Sequence, residues 1–96
     1  MNITKTINGN EATIKVEGWL DTQSAPEMQN EIENLEADIE SLVIDFSGLE
    51  YIASSGVRQV VSAYKKMNGN LVVRGASAGI MTIFNATGID KKISFE

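Results

Sequence analysis

The architecture of this chain follows from one segment, LVIDFSGLEYIASSGV, which occupies residues 42–57. Residues 42–44 form a continuous apolar run that is typical of a strand buried in a sheet. Residues 48–53 form a connection, and Ser54 or Ser55 then caps a helix. The apolar stripe of that helix recurs at helical spacing: Val57, Val60, Val61, Tyr64 and Met67. The segment therefore predicts a strand, a connection and a helix, in that order.

The residues before this segment predict a β-hairpin followed by a first helix. Apolar and polar residues alternate along residues 3–7 and again along residues 14–20, and an Asn-Gly-Asn turn lies between the two runs. Ser24, Pro26 and Glu27 are typical of a helix start with a capping box. The stripe of this helix follows at steps of four, three and four residues: Met28, Ile32, Leu35 and Ile39.

The residues after the segment repeat the strand-then-helix pattern. Residues 71–73 are a second apolar run, Ser77 caps a short third helix, and Ile93 and Phe95 form a last strand. The predicted order is β-β-α-β-α-β-α-β. Because repeated β-α-β units pair their strands in parallel, we predict an α/β fold. Its mixed sheet combines the N-terminal hairpin with parallel strands, helices pack against it, and the two apolar runs are parallel neighbours buried on both faces.

Composition limits the classes of function that are open to this chain. Its 96 residues are enough for a single domain over residues 1–96. The absence of histidine and cysteine excludes Ser-His-Asp and Cys-His catalysis and thiolate zinc sites, so we expect no enzyme, no metal and no cofactor. A net charge of -5 disfavours nucleic-acid binding. No targeting or membrane-inserting segment is visible, and we expect a cytoplasmic protein.

The serine pair at residues 54 and 55 is the most informative chemical feature. Backbone N–H groups and the positive end of the helix dipole face outward at a helix N-terminus. A phosphate on either hydroxyl would therefore be accepted there, with an added charge of about -1.5 to -2. The simpler interpretation is that these serines only cap the helix. The residues alone leave both interpretations open.

Three short motifs together resemble the STAS domain (sulfate transporter and anti-sigma factor antagonist), especially the small bacterial anti-sigma factor antagonists. Those proteins have a hydrophobic strand that ends in Asp-x-Ser, and then Asp-Ser-[Ser/Thr]-Gly at a helix start. This chain has IDFS at residues 44–47 and ASSG at residues 53–56. An earlier family feature, Gly-x-Leu-Asp, is matched by GWLD at residues 18–21. The resemblance extends over nearly the whole chain and implies the STAS fold.

This resemblance also implies a phosphorylation-regulated binding module. The unphosphorylated protein would bind an anti-sigma factor serine kinase and release the sigma factor, and a phosphatase would reverse the modification. By position, Ser54 matches the phosphorylated serine, with Ser55 as the second choice, and Ala53 replaces the usual preceding acid. We expect a monomer or weak homodimer whose partner-binding residues are Asp21, Ser54, Ser55, Gly56 and Arg58.

Other polar and aromatic residues favour simpler roles. Asp21 and Asp45 lie at strand ends, where loop hydrogen bonds are the favoured role and a hard cation the alternative. Trp19 is interpreted as a core or edge anchor more readily than as a ligand platform. Arg58 is either a surface charge or a partner contact. The acidic run of the first helix is interpreted as a solvated face, with a docking strip as the alternative: Glu27, Glu31, Glu33, Glu36, Asp38 and Glu40.

A second function remains open beside the antagonist role. A STAS domain also suits a scaffold or an accessory subunit, for example of a membrane lipid transporter, and phosphorylation would then have no part in its regulation. Kinase and sigma-factor genes beside this one would favour the first function, and transporter genes would favour the second.

Overall fold

The predicted hairpin is present in the computed structural model, which describes residues 1–96. Strand β1 (Asn2–Asn8) pairs antiparallel with β2 (Glu11–Leu20). The tight turn between them uses Gly9 at a φ of 63°, a left-handed conformation that glycine adopts without steric cost. The alternation of apolar and polar residues thus predicts both strands and their turn correctly.

The sheet is mixed, as predicted, and contains six strands. Its order is β1-β2-β3-β5-β6, where β3 is Ser41–Asp45, β5 is Leu71–Arg74 and β6 is Ser94–Phe95. All pairings other than the hairpin are parallel. The two apolar runs are neighbours, because Leu42 pairs with Leu71 and Ile44 pairs with Val73. The α/β fold class is therefore confirmed.

The sheet gains one short strand that the sequence pattern did not indicate. Residues 49–52 were expected to be a connection, but Leu49–Ile52 forms β4, which pairs in parallel with the end of β2. Its pattern is not alternating, because Glu50 and Tyr51 are both exposed between two buried residues. Gly18 pairs with Leu49 and Trp19 pairs with Tyr51, so the register shifts there and Glu50 is an extra, bulged residue of β4.

Three helices cover one face of the sheet. They are α1 (Ala25–Glu33), α2 (Ser54–Lys66) and α3 (Ala78–Thr87), and a 3-10 turn follows over Ile89–Lys91. The predicted cap of α3 is present, since Ser77 Oγ accepts a hydrogen bond from the amide of Ile80. The predicted first helix is too long, because α1 ends at Glu33 although Leu35 and Ile39 beyond it are buried.

One core lies between the helices and the sheet. It includes Ile14, Ile44 and Val73 from three neighbouring strands, together with Val60 of α2 and Phe84 of α3. The expectation that the two apolar runs are buried on both faces is wrong. Val43 and Val72, which point to the opposite face, are only half-buried because no helix covers them.

Candidate functional site

The serine pair begins α2, but neither serine caps it. The N-cap is Ala53, with φ -93° and ψ 170°, and no side chain accepts from the first helix amides. Both serines already have helical backbone geometry, whereas a capping side chain belongs to the extended residue before the helix. The capping interpretation is therefore wrong at this helix. Ser54 is exposed, and its hydroxyl has no hydrogen-bond partner within the chain.

The neighbouring hydroxyl is placed differently. Ser55 is half-buried, and its Oγ lies 3.3 Å from Oγ1 of Thr22 in the loop between β2 and α1. This contact brings the loop against the first turn of α2. Of the two serines, Ser54 is thus the more accessible to another protein.

The loop after β2 is organised by Asp21. Its Oδ1 accepts hydrogen bonds from the amides of Gln23 and Ser24, at 3.1 and 3.0 Å. The backbone and hydroxyl of Ser24 hydrogen-bond the carboxylate and hold the pKa of Asp21 below its ordinary value. The loop-bond interpretation of Asp21 is confirmed. The predicted capping box is wrong, because Ser24 has an αR backbone and its hydroxyl turns back to Asp21 and Trp19.

Gly56 lies beneath the serines and faces the core. A Cβ at this position would lie 2.7 Å from Cγ of Leu20 and 2.8 Å from Cγ1 of Ile52. Neither atom is the free end of its side chain, and both side chains are buried in the core, so they have little room to move. The glycine allows α2 to start directly on β2 and β4, and it thereby positions Ser54 at the surface.

Asp45 organises the turn between β3 and β4. Its Oδ1 accepts a hydrogen bond from the amide of Ser47 at 2.9 Å, and its Oδ2 lies 3.5 Å from Nη2 of Arg74. Burial raises the pKa of Asp45, but the hydrogen bonding from Ser47 and the charges of Arg74 and Lys15 outweigh it. The pKa therefore lies below its ordinary value. The loop-bond interpretation is confirmed here as well.

Arg58 is exposed and lies four residues after Ser54 on α2. Residues four apart lie on the same helical face, one turn from each other. The structure thus brings the predicted residues Asp21, Ser55 and Ser54 to one end of the sheet, with Arg58 one turn further along and Gly56 underneath.

One feature of this end of the molecule was missed by sequence reasoning. Trp19 is not in the core; it is 56% exposed and pairs across the strands with Tyr51, which is 43% exposed. The sequence does indicate the outward position of Trp19. Val16 and Leu20 occupy even positions of β2 and are buried, so Trp19 at an odd position lies on the opposite face. Nothing in the pattern indicated Tyr51, since β4 itself was not predicted.

The acidic run of the first helix does not gather into a further site. Glu31 of the acidic run forms a salt bridge with Lys5 at 3.7 Å, and the other acidic side chains of the run are exposed. No group of three or more acidic side chains is placed to hold a metal ion. None of the helices has the length and apolar character that crossing a bilayer requires.

Comparison with known families agrees with this fold. A family model described as "Mlab, STAS domain" matches residues 3–94. The match extends over nearly the whole chain, so the chain belongs to the STAS domain family. The resemblance inferred from the three motifs is thereby confirmed.

Solved structures with the same fold include anti-sigma factor antagonists. One, from Mycobacterium paratuberculosis, is 24% identical to this chain and has a TM-score of 0.88. The match covers 98% of this chain and 83% of the Mycobacterium chain. The Bacillus cell fate determinant SpoIIAA in its phosphorylated form is 16% identical, with coverages of 99% and 91% and a TM-score of 0.78. A sulfate transporter family protein from Wolinella succinogenes is 13% identical, with coverages of 95% and 80% and a TM-score of 0.75. At these identities the likeness concerns the fold.

Proposed function

We propose that this STAS domain is a phosphorylation-regulated anti-sigma factor antagonist. One observation carries the proposal: the Ser54 hydroxyl is exposed at the first position of α2 and is not used by the fold. The unphosphorylated protein binds an anti-sigma factor serine kinase and releases the sigma factor. The kinase phosphorylates Ser54, and a phosphatase restores the binding-competent form. The protein acts as the substrate and has no catalysis of its own.

The binding surface of this proposal is the end of the sheet around Ser54. The loop held by Asp21 and the hydroxyl of Ser55 border it on one side, and Arg58 borders it on the other. Gly56 acts from below by allowing the helix to sit on Leu20 and Ile52. A partner that packs on this surface covers the Ser54 hydroxyl closely.

A phosphate on Ser54 acts at the interface rather than on the fold. The N-terminus of α2 favours a negative charge, and Arg58 is one turn away to accept it. A partner surface shaped for a neutral hydroxyl must instead desolvate a dianion without compensation, which is costly. Phosphorylation therefore leaves the domain folded and weakens the complex.

The proposal is tested with a purified anti-sigma factor serine kinase and ATP, followed by mass-spectrometric mapping of the modified residue. We expect Ser54→Ala to resist phosphorylation and to retain binding, while the matched variant Ser55→Ala is still phosphorylated. In calorimetric titrations, Ser54→Asp should bind at least about tenfold more weakly than wild type. Phosphorylation of neither serine, or unchanged binding by Ser54→Asp, would contradict the proposal.

A scaffold or accessory-subunit role is the second candidate. The same fold occurs in a protein of the sulfate transporter family, and Ala53 stands where antagonists usually carry an acid. In that role the same surface would bind a transporter subunit, for example of a membrane lipid transporter, and would ignore phosphorylation. Binding to such a subunit that is equal for wild type and Ser54→Asp would favour this second role.

We propose a cytoplasmic location and a monomer or weak homodimer for either role. The formal net charge of -5 opposes binding to nucleic acid and to anionic lipid surfaces. The chain is expected to need neither a metal nor a cofactor for binding. Sedimentation of the purified protein at several concentrations tests the oligomeric state.

A further inference from the structure

Two aromatic side chains lie in contact on the surface of the sheet. Trp19 and Tyr51 are cross-strand partners on β2 and β4, with ring centroids 5.0 Å apart and ring planes inclined by 39°. Both are exposed, and the only other large exposed apolar side chain is Ile7 on β1. Single exposed aromatics are ordinary, but tryptophan and tyrosine side by side are characteristic of interface hot spots.

The backbone holds this pair in a fixed position. Gly18 adopts a φ of 88° where the pairing of β2 with β4 shifts register, and its amide donates to the carbonyl of Gly48 at 2.9 Å. The Ser24 hydroxyl lies 2.9 Å from the carbonyl oxygen of Trp19. Because the aromatic platform is preorganised, a ligand that binds it loses little conformational entropy in the protein.

Two acidic residues neighbour the pair on β2 and β4, and the amino nitrogen of Met1 lies near Gly18, 3.9 Å from where a Cβ of that glycine would be. Glu17 precedes Trp19 by two residues on β2, and Glu50 is exposed directly before Tyr51 on β4. Neither carboxylate forms a salt bridge, while Arg74 pairs with Asp45. An apolar ligand would desolvate these carboxylates without compensation, whereas a cation would neutralise them.

We propose that Trp19, Tyr51, Glu17 and Glu50 form a receptor for an arginine side chain presented by a protein partner. The planar guanidinium stacks on an aromatic face and donates hydrogen bonds to flanking carboxylates at the same time. Acidic groups beside an aromatic platform match that combination of charge and shape. The receptor does not rest on phosphorylation of Ser54, and it serves either of the two functions above.

The experiment uses the full chain and Trp19 as its own reporter, since this is the only tryptophan. The indole N–H resonance is followed by NMR during titration with the blocked peptide acetyl-Gly-Arg-Gly-amide. The control peptide carries citrulline, the uncharged counterpart of arginine. We expect a saturable shift with the arginine peptide, no comparable shift with the citrulline peptide, and weaker binding at high salt.

Variants then assign the binding to the named residues. Tyr51→Ala and the double variant Glu17→Gln/Glu50→Gln should each weaken binding about fivefold. The matched double variant Glu36→Gln/Asp38→Asn, which changes exposed acids elsewhere, should leave binding unchanged. The variants' amide spectra confirm that each is folded.

Three outcomes would overturn this receptor. One is the absence of any indole shift up to about 100 mM arginine peptide. Another is an equal response to the citrulline peptide, which would make the platform a nonspecific apolar surface. The third is an indole shift that depends on protein concentration without peptide, which would assign the platform to a second copy of the chain. No kinase takes part, so a failure of the Ser54 proposal leaves this result interpretable.

Discussion

The hydroxyl oxygens of Thr22 and Ser55 lie 3.3 Å apart and join the loop after β2 to the first turn of α2. The hydroxyl of Ser54, one residue earlier, makes no such contact and is exposed. Two adjacent serines in the same helical turn therefore have different roles. The Ser55 hydroxyl contributes to the local structure, and the Ser54 hydroxyl is exposed and unpaired.

This difference is measurable as stability. Ser55→Ala and Thr22→Val should each lower the free energy of unfolding by about 0.5–1 kcal/mol, and the double variant should lose less than the sum. Ser54→Ala should change it by less than about 0.5 kcal/mol, because no hydrogen bond is removed. Urea denaturation provides all four values. A larger loss for Ser54→Ala than for Ser55→Ala would mean that Ser54 caps the helix after all.

Gly56 should not accept even a methyl group without cost. A Cβ there would lie 2.7 Å from Cγ of Leu20, so Gly56→Ala overpacks the contact between α2 and the strands. We expect a net loss of about 1–2 kcal/mol after the gain in helix propensity, and a larger loss for Gly56→Val.

The matched control is Gly79→Ala on α3, where a Cβ would find only the Ser77 hydroxyl at 3.9 Å. That substitution should stabilise the protein by up to about 1 kcal/mol, since alanine favours helix more than glycine does. Thermal and urea unfolding compare the two variants. A Gly56→Ala protein as stable as wild type would show that the packing under α2 yields readily.

Regular periodicity explains why most of the fold was predictable. The alternation along β1 and β2 and the apolar runs of β3 and β5 each agree with the strand that forms. Strand β4 was not predicted, because its four residues include a bulge that breaks the alternation of buried and exposed residues. The predicted first helix was too long because the apolar pattern continues past its end. Leu35 and Ile39 keep helical spacing and are buried, although the helix ends at Glu33.

The candidate site was predictable in its location and less so in its geometry. Sequence placed the serines at a helix start, but the N-cap residue depends on backbone angles, and Ala53 holds the extended conformation. The position of Trp19 outside the core follows from its phase on β2. Its contact with Tyr51 depends on the pairing of β2 with β4, which is a tertiary property that no local pattern contains.

The two strand-end aspartates predict how stability depends on pH. The pKa values of Asp21 and Asp45 are lower in the folded protein than their ordinary values, so the unfolded chain binds protons more readily. Their contribution to stability is therefore present above the unfolded-state pKa of about 4 and is lost as pH falls through the lower folded-state values.

Asp45→Asn should remove part of this acid dependence, with a shallower loss of unfolding free energy between about pH 4 and pH 2 than in wild type. Asp38→Asn is the control, because Asp38 is exposed and forms no hydrogen bond or salt bridge. Urea denaturation across this range compares the slopes. Identical slopes for Asp45→Asn and wild type would contradict the role assigned to this carboxylate.

The last prediction concerns the tolerance of α2 for negative charge at Ser54. Because Ser54 is the first residue of the helix, a carboxylate there interacts with the positive end of the helix dipole and with Arg58 one turn later. Ser54→Asp should therefore be more stable than its neutral isostere Ser54→Asn by about 0.3–1 kcal/mol, and high salt should reduce the difference. Adding Arg58→Gln to both variants should reduce it as well. A Ser54→Asp protein less stable than Ser54→Asn at low salt would mean that phosphorylation strains the fold itself. If the predicted order holds, the negative charge does not destabilise the fold, and weaker partner binding by Ser54→Asp than by Ser54→Asn is an effect of the charge at the interface.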